Sequence, residues 1–271
     1  MINHKPIHIS FRQVEDLKNW FYTYVRQFKS GADLCTENAI LKENHTIRVC
    51  NEILSIGSGL ELTADKMRLT EITALFHDIG RFEQYARYKT FSDGKSVNHA
   101  ALGVEILKKN KVLKDFDPSM QDLICRIIGY HNRAALPADE TADCLFFAKL
   151  LRDADKLDIW RVVTRHYENS DGRRNPALEL DLPDTGQISE NVYKSLTSHR
   201  IVEFKDVKTL NDFKLLQAGW VFDIHFEQTL YALHARKYLD IIQRALPDSE
   251  KIKDIFDMIR HYLLQKLTIR P

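Results

Sequence analysis

Apolar residues recur at intervals of three and four along nearly the whole chain, the spacing of helices with one buried face. Gly and Pro are sparse and fall mostly between the periodic stretches, where they act as breaks. The pattern predicts helices over 11–29, 37–55, 65–79, 97–109, 118–131, 141–168, 189–198, 208–245 and 249–267. The longest is expected to break near Gly219. One strand candidate, "IVEFKDV", is short and reads equally well as coil. The predicted fold class is all-α. Two stretches stand out as loops. "RFEQYARYKTFSDGKSVN" mixes aromatic and basic residues, and its Tyr85, Tyr88 and Phe91 are candidates for stacking on a base or for capping the bundle. "ENSDGRRNPALELDLPDTGQ" is a candidate lid or linker that carries Arg173 and Arg174.

These elements suggest a helical domain over 1–170, a loop over 171–188, and C-terminal helices over 189–271 packed on the same domain. The stretch "GWVFDIHFEQTLYALHARKYLDIIQRAL" has the broad apolar surface of a helix that packs on a bundle or across a homodimer contact. With 271 residues, the chain can bury a substantial core. Lys and Arg number 39 against 38 Asp and Glu, which leaves no global field for gathering a nucleic acid or an anionic membrane. No run is long and apolar enough to span a bilayer, and the first residues lack the apolar core of a secretory signal. Four cysteines without CxxC spacing read as reduced thiols, so a cytoplasmic setting is expected.

Several ionisable residues sit on apolar helix faces. His131 closes the series Ile124, Ile127, Ile128, and His99 opens the series Leu102, Gly103, Ile106. His45 aligns with Leu41 and Val49, and Asp155 continues the line Cys144, Ala148, Leu151. His77 and Asp78 lie three and four residues past Ala74, at the end of a predicted helix. Taken singly, each histidine reads best as a core residue bonded to a backbone carbonyl. Six such groups turned inward are better explained by one shared cation, because a buried carboxylate must be paired or bound to metal. Imidazole with carboxylate suits Mn, Fe, Ni, Co or Zn, and Mg, which favours more oxygen, is the less natural choice.

The order His45, then His77-Asp78 in "HDIG", then Asp155 in "LLRDADKLDIW" resembles the HD domain of metal-dependent phosphohydrolases, over roughly Lys42 to Arg165. His99 in "VNHAALG" and His131 in "GYHNR" are similar to the extra histidines of the two-metal branch. That branch often has two adjacent histidines at the later position, and the first of that pair is Tyr130 here. The resemblance implies a helical bundle with additional C-terminal helices and one or two divalent ions. His45, His77, Asp78 and Asp155 would surround the first ion, and Asp78 would bridge to a second held by His99 and His131. Asp153 is a rival for the closing position but points to the other side of its helix. Asp158 is either a residue that orients a ligand histidine or an ordinary surface group.

A metal with open positions polarises a phosphoryl oxygen and lowers the pKa of water. Arg81, three residues past Asp78, is a candidate catalytic residue alongside Asp78; relatives often carry a lysine there. Arg48 shares the face of His45, and Arg133 and Lys156 adjoin His131 and Asp155. These three are candidate phosphate-binding residues. No GxSxG, Walker loop or Rossmann fingerprint occurs. The expected activity is hydrolysis of a phosphate ester of a nucleotide or another small phosphorylated metabolite. The alternatives are a non-catalytic nucleotide-sensing module, a di-iron oxygenase of the same fold, and a nuclease. Neutral net charge argues against the nuclease.

Overall fold

A computed structural model describes residues 7–29, 34–169 and 176–268. No strand occurs among them, and the fold is all-α. The chain divides into two compact units, Met1–Asp155 and Lys156–Pro271, with the boundary inside one helix.

The first unit contains α1 (Phe11–Arg26), α2 (Leu34–Gly59), α3 (Ala64–Phe76), α4 (Ile79–Tyr88), α5 (His99–Lys109), α6 (Pro118–Tyr130) and the first half of α7 (Ala142–Asn169). Caps set several starts. Ser10 and Gln13 form a reciprocal capping box on α1. Asn98 accepts from the Ala101 amide at the start of α5, and Asp117 accepts from Ser119 and Met120 ahead of Pro118 on α6. The core joins Phe21 of α1, Phe76 of α3 and Phe82 of α4, with ring centroids 6.1–6.4 Å from Phe21. Ile53, Leu69, Ile72, Ile79, Leu107 and Ile124 are fully or almost fully buried beside them.

Helix α4 corrects the sequence reading, which placed Arg81 to Asn98 in a loop. The chain is helical through Tyr88 and ends on Lys89 in the left-handed conformation, with φ of 56°. Tyr85 and Tyr88 are therefore helix residues, and Tyr85 packs on Phe91 at 4.7 Å between centroids. Helices α4 and α5 meet at backbone distance. A Cβ on Gly80 would lie 2.1 Å from the carbonyl oxygen of His99 and 2.8 Å from the amide nitrogen of Gly103. Only glycine fits there, and the contact fixes the first residue of α5 against the first turn of α4.

The second unit continues α7 and adds α8 (Pro176–Glu179), α9 (Glu190–Thr197), α10 (Leu210–Gly219), α11 (Glu227–Ala235), α12 (Tyr238–Arg244) and α13 (Glu250–Thr268). The predicted 208–245 helix does break after Gly219, into a 3-10 turn over Trp220–Asp223. It breaks again at Lys237, which has φ of 55°. "IVEFKDV" is irregular with a 3-10 turn at Phe204–Asp206. Trp160 anchors this unit, donating to the Gln217 carbonyl at 2.9 Å and packing on Trp220. Of the second candidate loop, Arg173 and Arg174 lie outside the described residues. Its later part is tied down, since Pro183 accepts from the Leu210 amide and Gln187 from Thr209. No helix among the described residues is long and apolar enough to cross a membrane.

Candidate metal centre

Residues from six helices of the first unit converge. His45 comes from the middle of α2 and His77 and Asp78 from the junction of α3 and α4. His99 opens α5, His131 follows α6, and Asp155 is the last residue of the unit on α7. His45, His77, Asp78, His99 and His131 are buried, while the Asp155 side chain is 18% exposed and marks the open side.

The donors form two groups, His45 with His77 and Asp155, and Asp78 with His99 and His131. Within each, the candidate ligand atoms lie within 4.8 Å of one another. Asp78 faces both groups. Its Oδ2 lies 3.5 Å from His45 Nε2 and 3.7 Å from His77 Nε2, and its Oδ1 lies 3.3 Å from His99 Nε2 and 3.8 Å from His131 Nε2. Asp155 Oδ1 is 3.1 Å from His45 Nε2 and 3.7 Å from His77 Nε2.

The far side of each ring decides what the near side can do. His77 Nδ1 lies 2.7 Å from the Ala74 carbonyl, and His131 Nδ1 lies 2.7 Å from the Ile128 carbonyl. A carbonyl only accepts, so both Nδ1 atoms carry the proton and both Nε2 atoms present a lone pair. His99 Nδ1 faces the Asp93 carboxylate at 2.7 Å, which fixes the same tautomer. His99 Nε2 and His131 Nε2 are then two lone pairs 2.9 Å apart. Such a contact needs a cation between them or an extra proton. Burial works against the proton, pushing His99 down to about 3 and His77 to about 4. Asp155 Oδ1 is also buried, and it faces the Nε2 atoms of His45 and His77. Imidazole lone pairs that converge with carboxylate oxygens fit a divalent transition metal.

Charged neighbours complete the centre. Burial alone would raise the Asp78 carboxyl, but Lys42, with Arg81 behind it, holds it well below the usual range. Lys42 Nζ donates to Asp78 Oδ2 at 2.7 Å. Arg81 bridges carboxylates, with Nε 3.5 Å from Asp78 and a terminal nitrogen donating to Asp93 at 2.9 Å, to Gln84 and to the Phe91 carbonyl. Asp93 also accepts from Gln84 and Asn132, and it is held low against the opposing effect of burial by His99, Arg81 and Gln84. Lys42, Asp93 and Gln84 were not singled out in the sequence. Lys42 lies three residues before His45 and shares its helix face, a signal that was available. Asp93 and Gln84 carried none.

The remaining candidates are placed as follows. Arg48 is half-buried on α2. Arg133 is exposed, with its guanidinium 4.6 Å from the Tyr130 ring centroid. Lys156 belongs to the second unit, where its ammonium pairs with Asp223 and donates to the Asp223 carbonyl at 2.8 Å. Asp158 is fully buried, which rules out the surface role. Asp153 is fully buried but joins neither group of donors.

A family model described as HD domain matches residues 43–160. The chain contains an HD domain. The HD segment contains all six converging donors. HD domains bind divalent metals, and most of the superfamily are metal-dependent hydrolases, although some members are non-catalytic. Comparison of this HD protein with curated proteins and with solved structures gave no match.

Proposed function

We propose that this HD domain hydrolyses a phosphate ester of a small metabolite, a nucleotide or a sugar phosphate, with two divalent ions at the paired donor groups. The observation that carries this reading is Asp78, whose two oxygens each face a separate set of metal-type donors. His45, His77, Asp155 and Asp78 Oδ2 would hold one ion, and His99, His131 and Asp78 Oδ1 the other. Such ions supply Lewis acidity toward phosphoryl oxygens and make water acidic near neutral pH.

The chain's own residues do the rest. The Ala74 and Ile128 carbonyls and Asp93 lock three imidazoles with Nε2 turned inward, so no reorganisation is needed when a ligand arrives. Lys42 and Arg81 set positive charge beside Asp78 and also line a cavity of about 240 Å³ with Phe28, Asn38, Tyr85 and Phe91. Its size suits a small organic group, with cations at one wall to meet phosphate. Arg48, one turn past His45, is a further proposed anion contact.

The test is phosphate release by the protein loaded with Mn, Fe, Co, Ni or Zn across a panel of nucleotides and sugar phosphates. Turnover that disappears in Asp78→Ala, with helical content retained, supports the reading. Absence of phosphate release across the whole panel, or a fully active Asp78→Ala, overturns it.

A further inference from the structure

We propose that Cys35 and Lys89 form a reversible covalent cross-link in which one oxygen atom joins the cysteine sulfur to the lysine nitrogen. Lys89 Nζ lies 2.7 Å from Cys35 Sγ. That distance is at the short end even for an N–H···O hydrogen bond. Sulfur is the larger atom, so an ammonium resting on a thiol sits farther away. A direct N–S bond would be much shorter. A single oxygen, bonded to both atoms and bent at its centre, holds nitrogen and sulfur at this separation.

The pair is also placed for oxidation. Cys35 is partly exposed in the first turn of α2, and Lys89 is exposed at the end of α4, so dissolved oxidant reaches both. The other cysteines differ. Cys125 and Cys144 are buried, and burial pushes the Cys50 and Cys144 thiols up to about 12. Cys125 and Cys144 are shielded, and Cys50, partly exposed like Cys35, is held as a thiol.

The chemistry balances with hydrogen peroxide as oxidant. One peroxide converts the Cys35 thiol to sulfenic acid and releases one water. The N–O bond then forms between Lys89 Nζ and the sulfenic oxygen. The sulfenic hydrogen and one amine hydrogen pass to a second peroxide, which leaves as two waters. The product is Sγ–O–NζH, four electrons more oxidised than the thiol and amine. Two dithiol equivalents return thiol, amine and water. The link ties the start of α2, the helix of Lys42 and His45, to the end of α4, the helix entered through Asp78. Cys35 lines the cavity shared with Lys42 and Arg81, so the tie fixes one wall of it.

Intact-mass measurement of the full chain after peroxide, without reductant, tests this. The expected product gains one oxygen and loses two hydrogens, reverts fully with dithiothreitol, and yields a proteolytic fragment joining the Cys35 and Lys89 peptides. Cys35→Ser and Lys89→Arg should each abolish it while melting like the parent in reducing buffer. Four outcomes overturn the proposal. They are gain of whole oxygens only, loss of two hydrogens only (a disulfide), a product that dithiothreitol does not reverse (a sulfinamide), or persistence of the change in either variant.

Discussion

Gly80→Ala tests whether backbone contact between α4 and α5 sets the metal centre. The added Cβ would sit 2.1 Å from the His99 carbonyl oxygen, whereas real Cβ contacts essentially never fall below 3.0 Å. The helices must therefore separate by about 0.9 Å, the difference between those two distances. Neither obstructing atom can rotate away, because one is the His99 carbonyl oxygen and the other the Gly103 amide nitrogen. Overpacking of this kind costs about 1–3 kcal/mol. Alanine recovers roughly 1 kcal/mol of helix propensity, so the net loss is at most about 2 kcal/mol. Each kcal/mol lowers Tm by roughly 2–4 °C for a chain of this order of size. The functional loss should be larger than the stability loss. His99 opens α5 and moves with it, and a misplacement of about 1 Å at a reacting centre costs on the order of 10²-fold in rate. Melting with and without metal, metal stoichiometry and phosphate release together read the effect. Gly94→Ala is the control, because nothing lies within 4 Å of its Cβ position. If Gly80→Ala melts, binds metal and turns over like the parent, the close approach of α4 and α5 does not position His99 and the reasoning fails.

Three further outcomes follow from the same geometry. Asp93→Asn removes the charge that fixes the His99 tautomer and should weaken the ion at Asp78, His99 and His131 by roughly 10–100-fold. If two ions bind as proposed, the other should be retained, so metal content falls from two toward one, and unchanged stoichiometry and affinity would count against this. Lys42→Met removes the ammonium that holds Asp78 ionised. Calorimetry should show metal binding that weakens more steeply than the parent's as pH falls, while kcat/KM for the phosphate ester also falls; an unchanged pH dependence of metal binding would contradict the assignment. In chelator, the protein should lose stability as pH drops. The buried His77 and His99 titrate at about 4 and about 3 in the folded state, against roughly 6.5 in an unfolded chain. Below pH 6.5 the unfolded state takes up protons that the folded state refuses, and stability falls until the folded groups titrate. A melting temperature that is flat between pH 7 and 5 would mean those rings are not buried neutral.

The donor residues were legible because the helix face a residue occupies is a local property. His131 follows Ile124, Ile127 and Ile128 at helical spacing, and Asp155 follows Cys144, Ala148 and Leu151, all buried. That same spacing separated Asp155 from Asp153 two residues away. It could not show that Asp153 and Asp158 would be buried as well, since burial on the remaining faces of α7 depends on what packs there. Helix α4 was missed for a related reason. Its buried side includes Gln84, which donates to Asp93, Ser96 and the Val97 carbonyl, so the apolar stripe is interrupted by a polar residue with distant partners.

Asp93, and Lys42 beyond the helix face it shares with His45, show where periodicity stops being informative. Each looks like one more surface charge in a chain with nearly equal numbers of both signs. Their roles exist only across space: Lys42 on Asp78, 36 residues away, and Asp93 on His99 and Arg81 together. Yet the charge balance at Asp78 depends on them. A buried carboxylate among neutral imidazoles would tend to protonate, and a protonated Asp78 could not offer both oxygens to cations. Lys42 and Arg81 keep it ionised before any metal arrives. Asp93 in turn holds Arg81 and His99 in place. The glycine of "HDIG" belongs to the same logic, since it lets His99 approach closely enough for Asp93 to hold Nδ1 while the Nε2 lone pair faces Asp78.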